Sequence, residues 1–182
     1  MKTLTLISLI LLSLSAYAQL FKVSEQGSIL KSSDANHRCV IDDKSELVWE
    51  VKLNKKGLQN TQNTYTWFDA KTGVKDGEYS KNCHWGKACN SQAFIQALNE
   101  TKLCQQNIWR MPSEAELKTL LVYGDNNLLI DDKFFPNTQL KTYWSADEIS
   151  ADVAIDVPFF YGGSKSADKS FDAYIRAVSN AN

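Results

Sequence analysis

Six residues carry side chains suited to disulfide, metal or nucleophile chemistry: Cys39, Cys83, Cys89, Cys104, His37 and His84. What they do depends on the compartment. Lys2 followed by the apolar run Leu4 to Leu14 and the small-x-small site Ala16-Tyr17-Ala18 reads as a secretory signal peptide, Met1 to Ala18. The run is too short for a stable membrane span. The mature chain is then expected to start at Gln19, outside the cytoplasm, where disulfides persist. An even count of cysteines in an exported chain suggests two disulfides, and three pairings are possible. Cys83 and Cys89 flank five residues and can close a small loop. That leaves Cys39 with Cys104, and closing that long loop stabilises by roughly 4 kcal/mol in the chain-entropy model.

The rival chemistries are weaker. A thiol zinc site with His37 or His84 lacks the paired C-x2-C spacing, so no metal is expected. A triad or dyad needs a histidine oriented by a carboxylate beside a nucleophile, and Cys83, next to His84, should be oxidised. There is no Gly-x-Ser-x-Gly elbow. The expectation is therefore no catalytic residue and no cofactor. Asp125, Asn126, Asn127, Asp131 and Asp132 offer calcium-type oxygens without EF-hand spacing, and a solvated loop accounts for them.

A carbohydrate platform is the more interesting candidate. Tyr65, Trp67, Trp85, Phe159, Phe160 and Tyr161 are aromatic, and sugars stack apolar faces on such rings. The plain alternative puts Trp67 and Phe160 in the core and packs Trp85 on its own loop. Trp85 is preferred, because a five-residue disulfide loop can hardly bury it. Lys81 and Lys87 flank it, and Lys55 and Lys56 add positive charge. Between Lys52 and Asn90 there are seven lysines and three acids, and between Ser113 and Asp156 three lysines and nine acids. This reads either as two solvated faces or as a basic patch that meets an anionic ligand. The whole chain carries a formal charge of −1, which argues against general nucleic-acid binding.

These residues need elements to place them. About 164 residues follow the leader, enough for one domain with a core. Residues 19–38 read as a lead-in, with Ser28-Ile29-Leu30 as a possible short strand, and 39–182 as the domain. Cys39-Val40-Ile41 and Leu47 to Val51 predict a hairpin around Asp42 to Ser45. Lys52 to Lys81 reads as a long irregular connection, ordered only at Tyr65 to Phe68. Phe94, Ala97, Leu98 and Thr101 predict a helix over Asn90 to Leu103, capped by Asn90 or Ser91. Ser113 and Glu116 form a capping-box pair opening a second helix, with Leu117, Leu120 and Leu121 buried and Gly124 as its stop. Tyr143 to Ser145, Val153 to Val157 and Ala173 to Val178 read as three strands. Gly162-Gly163 turns between the last two, and Pro158 sits at a strand end or edge. Segregated helices and antiparallel strands make an α+β domain.

The ordered set of pieces resembles the C-terminal domain family of the Legionella collagen-like adhesin, the Lcl C-terminal domain. The matching residues are Cys39 to Asp42 with Leu47 to Glu50; Tyr65-Thr66-Trp67; Cys83 with Cys89; Leu103-Cys104; Trp109 to Ser113 with Glu116-Leu117; Phe135-Pro136-Asn137; Tyr143-Trp144-Ser145; and Tyr174 to Val178. The chain departs from the family at Ser45-Glu46, Gln105 and Ile108, positions that change turns rather than the core. The resemblance implies a C-type-lectin-like fold, with two helices on a small twisted antiparallel sheet and long loops presenting the ligand surface. It also implies a role at the bacterial surface, including adhesion and sulfated-glycan binding. No Gly-X-Y tract is present in this sequence, so the expectation is a globular head without a collagen stalk. Trp49, Trp109, Arg110, Trp144 and Arg176 are expected to be structural. The expected function is a non-catalytic, periplasmic or secreted binding module for a glycan, anionic or sulfated. The alternative is an accessory protein of a pilus or secretion machine, with an envelope protein as partner.

Overall fold

The computed structural model describes residues 19–76, 83, 85, 89–122 and 130–181. The leader, Lys81, His84, Lys87, Gly124, Asp125, Asn126 and Asn127 lie outside the described residues. Among those described, no helix is long and apolar enough to cross a membrane.

Among the described residues the fold is α+β, with two helices, two antiparallel sheets and two disulfides. The first sheet orders β1 (Leu20–Val23), β2 (Cys39–Asp42), β3 (Leu47–Glu50) and β7 (Val178–Asn180) side by side. β2 and β3 are the expected hairpin. Its turn is held by Asp42 Oδ1, which accepts from the Lys44 and Ser45 amides, and Glu46 turns the chain with a positive φ of 55°. The lead-in begins as strand β1, which pairs with β2 from Leu20 opposite Asp42 to Val23 opposite Cys39. Ile29 adds only an isolated bridge to Val23.

The second sheet is a meander of β4 (Thr142–Glu148), β5 (Val153–Pro158) and β6 (Lys165–Asp168). Pro158 ends the central strand, where its missing N–H costs no interior ladder bond. Two expectations need correction here. The Gly162-Gly163 turn leads into β6, which the sequence does not announce, because Lys-Ser-Ala-Asp lacks apolar alternation. Ala173 to Val178 is not one strand. It is a strap making isolated bridges from Ala173 to Tyr65, from Tyr174 to Tyr143 and from Val178 to Arg110, and only β7 joins a ladder.

Two hydrophobic cores follow from this layout. Along β3 the side chains alternate, so Leu47 and Trp49 enter one core and Val48 the other. The strap does the same, with Ala173, Ile175 and Ala177 on one side and Tyr174 and Val178 on the other. β3 and the strap therefore act as a wall between the cores.

α1 (Ser91–Thr101) is capped by Asn90, whose Oδ1 accepts from the Ala93 amide at 2.8 Å. It buries Phe94 and Leu98 and ends at Lys102 in the left-handed region. Thr101, expected on the same face as Phe94 and Leu98, is exposed and bonds back to the Leu98 carbonyl. α2 (Glu114–Thr119) opens with the expected capping box, and Leu117, Leu120 and Leu121 are buried.

The connection after β3 also differs from expectation. Gln59, Asn60, Thr61, Asn63, Thr64 and Thr66 are buried along with Tyr65 and Trp67. The polar composition satisfies buried backbone rather than water. Gln59 donates to the Val51 carbonyl, Asn63 to those of Gly57 and Leu58, and Thr66 to that of Val74.

Candidate functional site

The disulfides join Cys39 to Cys104 and Cys83 to Cys89. Trp85, between the second pair, is half-buried and packs against the core that holds Trp67, Phe94 and Trp144. Its indole N–H is buried with no partner among the described residues. Its flanking lysines, Lys81 and Lys87, fall outside those residues. Lys55 and Lys56 are exposed in the bend after Leu53 and form no ion pair among the described residues.

Among the residues expected to be structural, bonding is uneven: the indole N–H groups of Trp49 and Trp109 and the Arg176 Nε are buried without a partner among the described residues. Trp49, Trp109, Trp144 and Arg176 are buried. Trp144 donates its indole N–H to the Tyr65 carbonyl at 2.9 Å, and Trp67 donates to that of Ser145 at 2.8 Å, which ties the long connection to β4. Asn99 brackets the Trp109 backbone, accepting from its amide and donating to its carbonyl. Arg110 forks onto both Glu116 oxygens at 2.6 and 2.7 Å, which raises its own pKa and lowers that of Glu116. Arg176 donates to the Glu50 carbonyl and the Thr138 hydroxyl and lies 5.0 Å from the Phe135 ring. Beside it Glu50 and Lys52 form a buried ion pair at 2.9 Å.

The described residues include His37 but not His84. His37 is buried, and its Nε2 lies 2.7 Å from the Phe134 carbonyl oxygen rather than on a carboxylate. No group of three His, Cys, Asp or Glu there could hold a metal ion. Asp131 Oδ1 instead accepts from the Lys133 amide in a turn.

The aromatic candidates separate sharply by burial. Tyr65, Trp67 and Phe159 are core residues, whereas Phe160 and Tyr161 are each 46% exposed. Phe159 anchors the segment by stacking on Tyr143, with ring centroids 4.3 Å apart. The chain then turns over Pro158, whose carbonyl accepts from the Gly162 amide at 2.9 Å, and Gly162 takes a positive φ of 76°. Gly163 is constrained differently: a Cβ there would stand 2.6 Å from the Tyr161 ring. Phe160 and Tyr161 meet edge to face at 4.8 Å, and the Lys165 ammonium lies 5.7 and 5.1 Å from their centroids. Lys165 pairs in register with Asp156, whose carboxyl burial pushes up to about 6 against the pull of Lys165. Two exposed rings on the turn and a cation at the start of β6 thus stand together. The rings are expected from the sequence, whereas Lys165 is not. The lysine four residues beyond Tyr161, across a Gly-Gly turn, is the signal for it.

A second surface feature is an apolar groove of about 280 Å3 beside α1, bordered by Trp67, Phe68, Ile95 and Met111. Arg110 forms part of its wall, with its fork committed to Glu116. The family model of the Lcl C-terminal domain matches residues 38–179. No curated protein matches the chain.

Proposed function

Because the chain belongs to the Lcl C-terminal domain family, we propose that it is an exported, non-catalytic binding module of the bacterial envelope or surface that recognises anionic glycan. The observation that carries this reading is the exposed Phe160–Tyr161 pair with Lys165 against it. Rings offer apolar faces for sugar C–H groups, and the ammonium meets sulfate or carboxylate. Trp85, with Lys81 and Lys87 near it in sequence, is a second candidate for such a contact. Two disulfides suit an extracellular or envelope address. Two helices with small antiparallel sheets and long, ordered connections support a C-type-lectin-like architecture.

The test is binding of oxidised mature protein to heparin and dextran sulfate at increasing salt. Affinity is expected to fall with salt, as it must for exposed charges. Tyr161→Ala and Lys165→Ala are each expected to weaken binding by about 1 kcal/mol, roughly fivefold. Trp85→Ala tests the second candidate. Salt-independent binding, or none across a glycosaminoglycan panel, removes the glycan reading. The apolar groove beside α1 favours the second reading, an accessory role with an envelope protein as partner. Co-purification with such a protein, abolished by Ile95→Lys and without glycan affinity, would select it.

A further inference from the structure

The aromatic turn is anchored at both ends. On the entry side Phe159 is buried against Tyr143, and the Gly162 amide donates to the Pro158 carbonyl. On the exit side Lys165 opens β6 opposite Asp156. Gly163 and Ser164 join the two ends, and the glycine brings no side chain to hold the join. Tyr161 and Lys165 stand on opposite sides of it, yet the ammonium lies 5.1 Å from the ring centroid.

Ser164 supplies the missing tie. Its Oγ donates to Glu114 Oε1 at 2.6 Å and accepts from Lys118 Nζ at 2.9 Å. Glu114 and Lys118 lie one turn apart on α2 and pair with each other at 2.5 Å, so the three groups close a triangle. Lys118 and then Ser164 hold the Glu114 carboxyl below its usual range, so it is ionised and accepts from both. α2 is itself held, because the Glu114 amide donates to Asp147 and Ser113 caps the helix. Among the described residues, residues 160–164 make no other side-chain hydrogen bond.

The position of Ser164 sets what lies on either side of it. The Tyr161 ring rests on Gly163, where a Cβ would stand 2.6 Å from it, and Lys165 follows Ser164 directly. Moving Ser164 therefore shifts the floor under the ring relative to the strand that carries the cation. An unclasped turn has to be ordered when ligand arrives, which weakens binding, whereas a clasped one is ordered beforehand. We propose, resting on the reading of the aromatic turn as the ligand surface, that Glu114 and Lys118 are positioning residues of that surface. By clasping Ser164 they hold the Phe160–Tyr161 pair and Lys165 as one preformed contact.

Ser164→Ala is the variant to test, because it opens the clasp without changing charge, ring or cation. Two quantities are read on the oxidised mature protein. One is the ring-current displacement of the Lys165 side-chain methylene protons without ligand, and the other is the affinity for heparin. In the wild type the methylenes are expected upfield of their ordinary positions, because the ammonium lies over both rings. Ser164→Ala is expected to lose at least half of that displacement and to bind heparin about three- to fivefold more weakly, with the urea midpoint unchanged. Ser164→Thr keeps the hydroxyl and is expected to restore both. A Lys165 displacement unchanged by Ser164→Ala overturns the proposal, and a lowered urea midpoint beside it makes the clasp a stabilising contact only. Heparin affinity equal to that of the wild type, or Ser164→Thr behaving as Ser164→Ala, also overturns it. A wild type that binds no heparin removes the glycan reading, while the Lys165 displacement still decides the clasp.

Discussion

Asp156 lies in the central strand of the second sheet, with one carboxylate oxygen buried and unpartnered among the described residues. Burial raises its carboxyl to about 6 from an ordinary 3.8. A raised acid holds more protons folded than unfolded, so its contribution is intact at the low end of that window and is lost as pH rises through about 6. Asp156→Asn removes the ionisation cost. The variant is expected to gain about 1–2 kcal/mol near pH 7.5 and nothing near pH 4, read from urea unfolding at both values. A pH-independent gain would show that ionisation is not the cause. Protonation of Asp156 also frees the charge of Lys165, so an anionic ligand at the aromatic turn should bind more tightly below about pH 6.

At the scale of elements, α2 is only six residues long, far below the length at which a helix stands alone in water. Its N-terminus is held three times over. Ser113 accepts from the Glu116 amide, Glu116 accepts from the Ser113 amide, and Asp147 accepts from the Glu114 amide. Ser113→Ala is expected to cost about 1 kcal/mol. Glu116→Ala should cost about 2–3 kcal/mol, because it also strips both fork bonds from Arg110. Equal losses in urea unfolding would mean that the Arg110 fork adds nothing. Elements built on such local bonding are legible in sequence, as the capping box, the Asn90 cap and the Asp42 turn show. β6 is not legible, because Lys-Ser-Ala-Asp becomes a strand only through pairing with β5. Nor is the buried run from Gln59 to Thr64, where amide and hydroxyl side chains read as solvated until the backbone they bond is known. The same gap blurs the candidate site. Three consecutive aromatics, Phe159 to Tyr161, carry no local sign that the first is core and the next two are surface.

Across the whole molecule, the Cys39–Cys104 bridge crosses the longest stretch of chain, with a sequence separation of 65 against 6 for Cys83–Cys89. It pins β2 to the 3-10 turn after α1, where the Cys104 amide also donates to the Glu25 carbonyl. Both of its cysteines are buried in the core shared by Val48 and Trp144. If a disulfide acts by restricting the unfolded chain, its effect grows with the logarithm of the loop. Replacing both Cys39 and Cys104 with Ala is then expected to cost about 4 kcal/mol, and replacing both Cys83 and Cys89 about 2 kcal/mol. Against a typical domain stability of about 5–15 kcal/mol, loss of the long bridge moves the urea midpoint much further than loss of the short one. Should the short bridge cost as much as the long one, the stabilisation would lie in the folded segment around Trp85 rather than in the unfolded chain. Trp85 would then be held by the folded state rather than by a loose loop, which is what a ligand platform needs.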